Sequence, residues 1–191
     1  LPTDNPRPAL QTYRGGRLSF SVDPTLARGL KDLGRRHDAT PFMSFLAVFQ
    51  VLLHRLSEQT TVLVGTPIAN RARTELEQVV GLFANTIVMR ADFAPDIDFS
   101  AVLQQIRRRS LEAYGNQDLP YELLVSELDP TRAASHNPIF QVMFALQNNE
   151  APDFSGNGLS ITPLDPLDGS GTAKFDLTLG LAESAEGLTG L

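Results

Sequence analysis

The order of apolar periodicities along this 191-residue chain predicts an α/β fold, a two-layer sandwich of helices on a mixed sheet. Three observations carry that reading. Helical stripes and strand-like runs follow one another in mixed order rather than in separate blocks. Two helix starts are written as a capping residue followed directly by proline, at Asp23-Pro24 and Thr40-Pro41. Short apolar or β-branched runs at 61–64, 85–89 and 140–146 have the length and flanking residues of strands.

In chain order, residues 1–12 carry Pro2, Pro6 and Pro8 and read as an extended lead. Residues 17–22 alternate like a half-buried strand, and the helix begun at Pro24 sets Leu26, Leu30 and Leu33 on one face before ending at His37-Asp38. The next helix has a wide stripe of Phe42, Phe45, Leu46, Phe49, Leu52 and Leu53. Its apolar run falls well below the roughly 20 residues that span a bilayer and contains Ser44 and Gln50, so it is read as core. Residues 61–64 form a central strand, and Pro67 is expected to end its pairing and open a loop. Gly81 reads as a turn with an unusual backbone angle after a helix end, and Asn85 as a backbone-bonding side chain at the head of the strand 85–89. A long helix over 98–114 has Phe99, Val102, Leu103, Ile106 and Leu111 along its apolar face. A shorter one over 120–128 starts at Pro120 with Glu122 in its first turn, and Asp129-Pro130 stops it. After the strand 140–146, residues 150–172 read as a long loop with one short strand at 159–162. Residues 175–181 alternate, placing Lys174 and Asp176 on one face and Phe175 and Leu177 on the other.

Composition narrows the function. With 42% hydrophobic and 20% charged residues the chain suits one globular domain. The absence of cysteine excludes disulfides, thiolate nucleophiles and cysteine–zinc sites, and suits a cytoplasmic protein. A net charge of −6, with no basic cluster larger than Arg107-Arg108-Arg109, argues against a nucleic-acid surface, and that triplet reads as a solvated helix face. No membrane segment or signal sequence is expected. The chain opens on Leu1 rather than Met and closes at Leu191 within what reads as a strand, so both ends read as cut. The three histidines, His37, His54 and His136, stand apart and read as solvated or packed rather than as general bases.

Three motifs stand out. In Asn116-Gln117-Asp118-Leu119-Pro120-Tyr121-Glu122, Asp118 can cap the helix that follows, which leaves Asn116 and Gln117 for a ligand or a neighbouring loop. The second is Val80-Gly81-Leu82-Phe83-Ala84-Asn85-Thr86 running on to Arg90. The third runs from Arg132 through Ser135, Asn137 and Pro138 to Phe140, where turn chemistry and a backbone-bonding arginine are useful. These three, in this order, resemble motifs of the condensation domains of non-ribosomal peptide synthetases. Weaker agreement runs from Tyr13-Arg14-Gly15 through Thr66-Pro67 and Asn70-Arg71 to Ala173-Lys174-Phe175-Asp176-Leu177.

The resemblance implies one lobe of the V-shaped chloramphenicol-acetyltransferase-like fold. Residues 1–12 would join the two lobes, and 13–191 would be the C-terminal lobe, truncated at its C-terminal end. The family's His-His-x-x-x-Asp-Gly is absent, so the lobe alone is expected to be inactive, while the whole domain forms an amide bond between carrier-bound aminoacyl and peptidyl thioesters. By the same resemblance Asn116, Gln117 and Asp118 face the substrate tunnel, with Thr172, Lys174 and Asp176 as a second set; the alternative for the latter is a surface ion pair. The stretch from Thr66-Pro67 through Asn70-Arg71 to Phe83 would be a loop crossing toward the partner lobe, mobile in isolation. No cofactor is expected in the chain, since phosphopantetheine arrives on carrier proteins; the other implied partners are the N-terminal lobe and a neighbouring adenylation domain. Ala133, His136 and Ile139 depart from the family pattern, and Ala133 removes an acid that could pair with Arg132. A lobe of an epimerization, cyclization or coenzyme-A-dependent acyltransferase domain, or a non-catalytic recruitment module of the same fold, remain as alternatives.

Overall fold

Asp23, Thr40 and Asp98 each accept from backbone N–H groups at the head of a helix: Asp23 from Thr25 and Leu26, Thr40 from Met43, Asp98 from Ala101. In the computed structural model, which describes residues 1–71, 73–128, 133–147, 171–184 and 187–191, these caps open α1 (Pro24–Arg36), α2 (Pro41–Ser57) and α3 (Phe99–Gly115). A fourth helix, α4, spans Tyr121–Leu128. The strands are β1 (Phe20–Val22), β2 (Thr61–Ile68), β3 (Asn85–Asp92), β4 (Val142–Gln147), β5 (Leu177–Ser184) and β6 (Gly187–Gly190). They form one sheet in the order β1-β6-β5-β4-β2-β3. The β2–β4 and β4–β5 pairs are parallel and the others antiparallel, so the sheet is mixed as expected.

Helices α1, α2 and α3 cover one face, with α2 between its neighbours and over β2, α3 over β3 and α1 over β6. Period-2 alternation sends Val62, Val64, Ile87, Met89, Val142, Phe144, Leu181 and Leu188 into that interface, where Leu46, Leu103, Ile106 and Phe144 are fully buried. The buried face of α1 runs through Ala27, Leu30 and Gly34 rather than through Leu26, which is 67% exposed. Small residues let α1 approach α2 closely enough that a Cβ at Gly34 would run into Ser44 Oγ. Leu52 and Leu111 likewise point outward, and Ser110 takes the buried position on α3.

Three expectations change. Pro67 does not end β2: it pairs with Thr86 and Ile68 pairs with Asn85, because the aligned contact with β4 lies back at Gly65–Met143 and a missing N–H is tolerated where a strand has one neighbour. Among the described residues of the loop before Gly81 there is a 3-10 turn at Thr74–Leu76 and no α-helix, and the left-handed backbone falls on Asn70 (φ 51) instead. The arginine triplet is not merely solvated. Arg107 donates to Asp38 O (2.8 Å), and Arg109 to Arg90 O (3.2 Å) and to the Asp92 carboxylate (2.6 Å).

β3 ends the sheet, and side chains of α3 close part of its outer margin. Gln105 both accepts from Asp92 N–H (2.7 Å) and donates to Asp92 O (3.1 Å), as a neighbouring strand would. Burial alone would push the Asp92 carboxyl up, but hydrogen bonds from Arg109, Thr61 and Arg90 and the Arg109 charge outweigh it and lower it to about 2. Arg132 and the strand expected at 159–162 lie outside the described residues, as does most of the loop expected at 150–172. No single helix among the described residues is long and apolar enough to cross a membrane.

Candidate functional site

Asn85 opens β3, and its side-chain amide joins two of the three motifs. Nδ2 donates to Gln117 O (2.9 Å) and Leu119 O (2.8 Å), while Oδ1 accepts from Thr86 N–H (2.8 Å) and Tyr121 N–H (3.2 Å). Tyr121 N–H belongs to the first turn of α4, so the cap assigned to Asp118 is supplied instead by Asn85. An amide fits this place better than a carboxylate because two carbonyls must also be met by a donor. Asn116 is not left over either: it is the C-cap of α3 and donates from Nδ2 to Glu112 O (2.8 Å). The Gln117 and Asp118 side chains are held by no hydrogen bond or ion pair among the described residues.

From Tyr121 the network continues into the third motif. Its hydroxyl donates to Pro138 O (2.7 Å), and its ring lies 5.4 Å from that of Phe140, which stacks in turn on Phe175 at 5.4 Å. Burial, followed by the charge of Glu122, raises the Tyr121 hydroxyl, so it remains a neutral donor. Phe140 reaches this place because Gly65 of β2 has no side chain; a Cβ there would run into its ring. Ile139, at φ 64, makes the turn. Asn137 donates to Lys174 O (2.8 Å), and Ser135 Oγ lies 3.1 Å from His136 Nδ1.

The fourth segment, 171–176, is held by the lead rather than standing as an independent strand end. Arg7 is paired with the Asp176 carboxylate through both terminal nitrogens and donates to Ser135 O (3.2 Å). Gln11 bonds Ala134 O (2.9 Å) through its backbone and Lys174 O (3.0 Å) through its side chain. Ala173 N–H donates to Tyr13 O (2.8 Å), Gly15 N–H to Gly171 O (2.8 Å), and Arg14 bridges to Thr172. The ion pair considered between Lys174 and Asp176 is therefore replaced by Arg7–Asp176, because regular pairing of β5 begins only at Leu177. Arg7 also bonds backbone in this region, reaching Ser135 O from the lead. Sequence reasoning had no signal for it beyond its place in a proline-rich lead.

The loop after β2 is organised by Arg71, whose guanidinium bonds Leu76 O, Val79 O (2.8 Å) and Gly81 O (3.2 Å) and sits 4.4 Å above the Phe83 ring. Thr66, expected in this loop, is buried in β2 and donates to Phe144 O (2.7 Å). Arg90 turns back on Asp92 (3.0 Å). An open groove of about 590 Å³ lies between the end of α2, the start of β2 and residues 139–142, and contains no histidine. His54 is packed flat on Phe93 at 4.3 Å with Nδ1 2.7 Å from Gln59 O, and His37 is the C-cap of α1. Among the described residues no imidazole is paired with a carboxylate, and no group of three or more metal-ligating side chains converges. The arrangement can position and enclose.

A family model described as a condensation domain matches residues 1–190. One of the linear gramicidin synthase polypeptides of Brevibacillus parabrevis is 47% identical over 188 residues, 98% of this chain; the chain spans 4% of that relative's length. A four-domain nonribosomal peptide synthetase solved with AMP and glycine bound superimposes with a TM-score of 0.87 at 30% identity, over 99% of this chain and 15% of that one. The X-domain from teicoplanin biosynthesis, solved in complex with OxyB, has the same fold, with a TM-score of 0.82 at 23% identity over 100% of this chain and 42% of its own.

Proposed function

The chain belongs to the condensation-domain family, and from that premise we propose that it forms the C-terminal lobe of a domain that joins carrier-bound aminoacyl and peptidyl thioesters through an amide bond. The observation that carries the reading is the continuity of its motifs. Asn85, Tyr121, Pro138, Phe140, Phe175 and Lys174 form one connected path, so segments far apart in sequence act as a single wall. That wall presents Gln117, Asp118 and the Lys174 ammonium, the groups we assign to the tunnel together with Thr172. Asn116 and Asp176, which we assign to the same tunnel, are held in place by Glu112 O and by Arg7 respectively. Its contribution is positioning, which can account for a large part of an acyl-transfer barrier, while proton handling falls to a facing lobe.

The thioester arm belongs to the carrier proteins that bring the substrates, and an adenylation domain would supply the activated residue in the same polypeptide. A cysteine-free surface suits the cytoplasm. The test is amide formation from loaded carrier proteins, measured with this lobe alone and with an upstream lobe restored. Product only on restoration supports the reading; product from the lobe alone overturns it, and pairing of the lobes without product points to recruitment instead.

A further inference from the structure

The loop between β2 and β3 combines two properties that do not ordinarily go together. Its tip carries the most exposed large apolar side chains among the described residues, Val80 at 99% and Leu82 at 92%, with Val79 also exposed. A tip of that kind in water would fold back on its own lobe unless something held it out. What holds it is internal. Three carbonyls, those of Leu76, Val79 and Gly81, turn inward onto the one guanidinium of Arg71, and Phe83 closes the other side of the same plane. Short backbone bonds from Leu76 N–H to Arg73 O (2.9 Å), Glu77 N–H to Thr74 O (3.1 Å) and Val79 N–H to Leu76 O (3.2 Å) complete the turn. Asn70, left-handed at φ 51 with a buried Oδ1 that has no partner among the described residues, directs the chain into it.

We propose that Arg71 is a positioning residue that fixes this loop in its docking shape before any partner is present, so that Val80 and Leu82 meet an apolar surface of the facing lobe as a preformed tip. The inference rests on the reading of this chain as one lobe of a pair. Preorganisation lowers the ordering cost of docking, and a planar fork is required: an ammonium is a point donor and cannot span three carbonyls while lying flat on a ring.

Amide exchange in the 191-residue chain decides the clasp. In Arg71→Ala, and equally in Arg71→Lys, exchange at Leu76, Glu77 and Val79 should quicken by about tenfold while amides of β2 and β3 keep wild-type rates, the mark of a local opening. Unchanged exchange in Arg71→Ala, or full protection in Arg71→Lys, overturns the proposal. Pairing with the upstream lobe then decides the purpose. Arg71→Ala should weaken it by about tenfold, as should Val80→Ser with Leu82→Ser, the latter without altering loop exchange. Faster exchange with unchanged pairing overturns the docking role. Absence of pairing in the wild-type chain is a failure of the lobe assignment, with the exchange arm still deciding the clasp.

Discussion

Asn85 uses every hydrogen-bonding position of its amide on backbone up to 36 residues away. Asn85→Ala therefore strands two carbonyls and uncaps α4, and we expect a loss of about 2–3 kcal/mol in urea unfolding. Asn85→Asp should be no rescue, since it keeps the acceptor but turns a carboxylate oxygen toward the carbonyls of Gln117 and Leu119. Asp92 makes a prediction of a different kind. Its carboxyl is depressed from 3.8 to about 2, so its ion pairs contribute stability above about pH 4 that is lost as the pH falls through 2. Asp92→Asn should flatten that acid limb, read as the urea midpoint between pH 6 and pH 2, and leave the slope above pH 5 unchanged.

At the level of elements, Gly65 is the point where β2 makes room for another segment. Gly65→Ala must displace Phe140 from between Tyr121 and Phe175, and the expected cost is about 1–3 kcal/mol in denaturant unfolding. Phe140→Leu in the same background should recover part of it if the clash is the cause. The caps of α1 and α2 were legible in the sequence because a cap and the N–H donors it accepts from lie within one turn. The cap of α4 was not: its acceptor comes from β3, and no local rule can choose a distant Asn85 over a neighbouring Asp118. Pro67 was misjudged for a related reason, since whether a missing N–H matters depends on how many neighbours the strand has there. Leu26 and Leu52 followed their helical periodicity, but small residues decided which face α1 turned to α2.

Across the whole molecule, the lead is integral to this lobe although its prolines suggested only a connector. Removing residues 1–12 deletes the Arg7 and Gln11 contacts with residues 134–135 and 174–176, and should cost about 2 kcal/mol, roughly 4–8 °C in thermal unfolding. A shift below about 1 °C would mean that the lead hangs free. Motif order made the four segments of the wall recognisable; their physical joining by one amide, one phenol and a stack of rings required coordinates. The treatment of β3 has a further consequence for a lobe exposed on its own. With Gln105 occupying both main-chain groups of Asp92 and Arg109 occupying the carbonyl of Arg90, the Arg90–Asp92 stretch of that edge is closed to a foreign chain that would otherwise extend the sheet into fibrils. Clumping at high concentration should instead begin at the greasy tip of Val80 and Leu82, and yield to serine there.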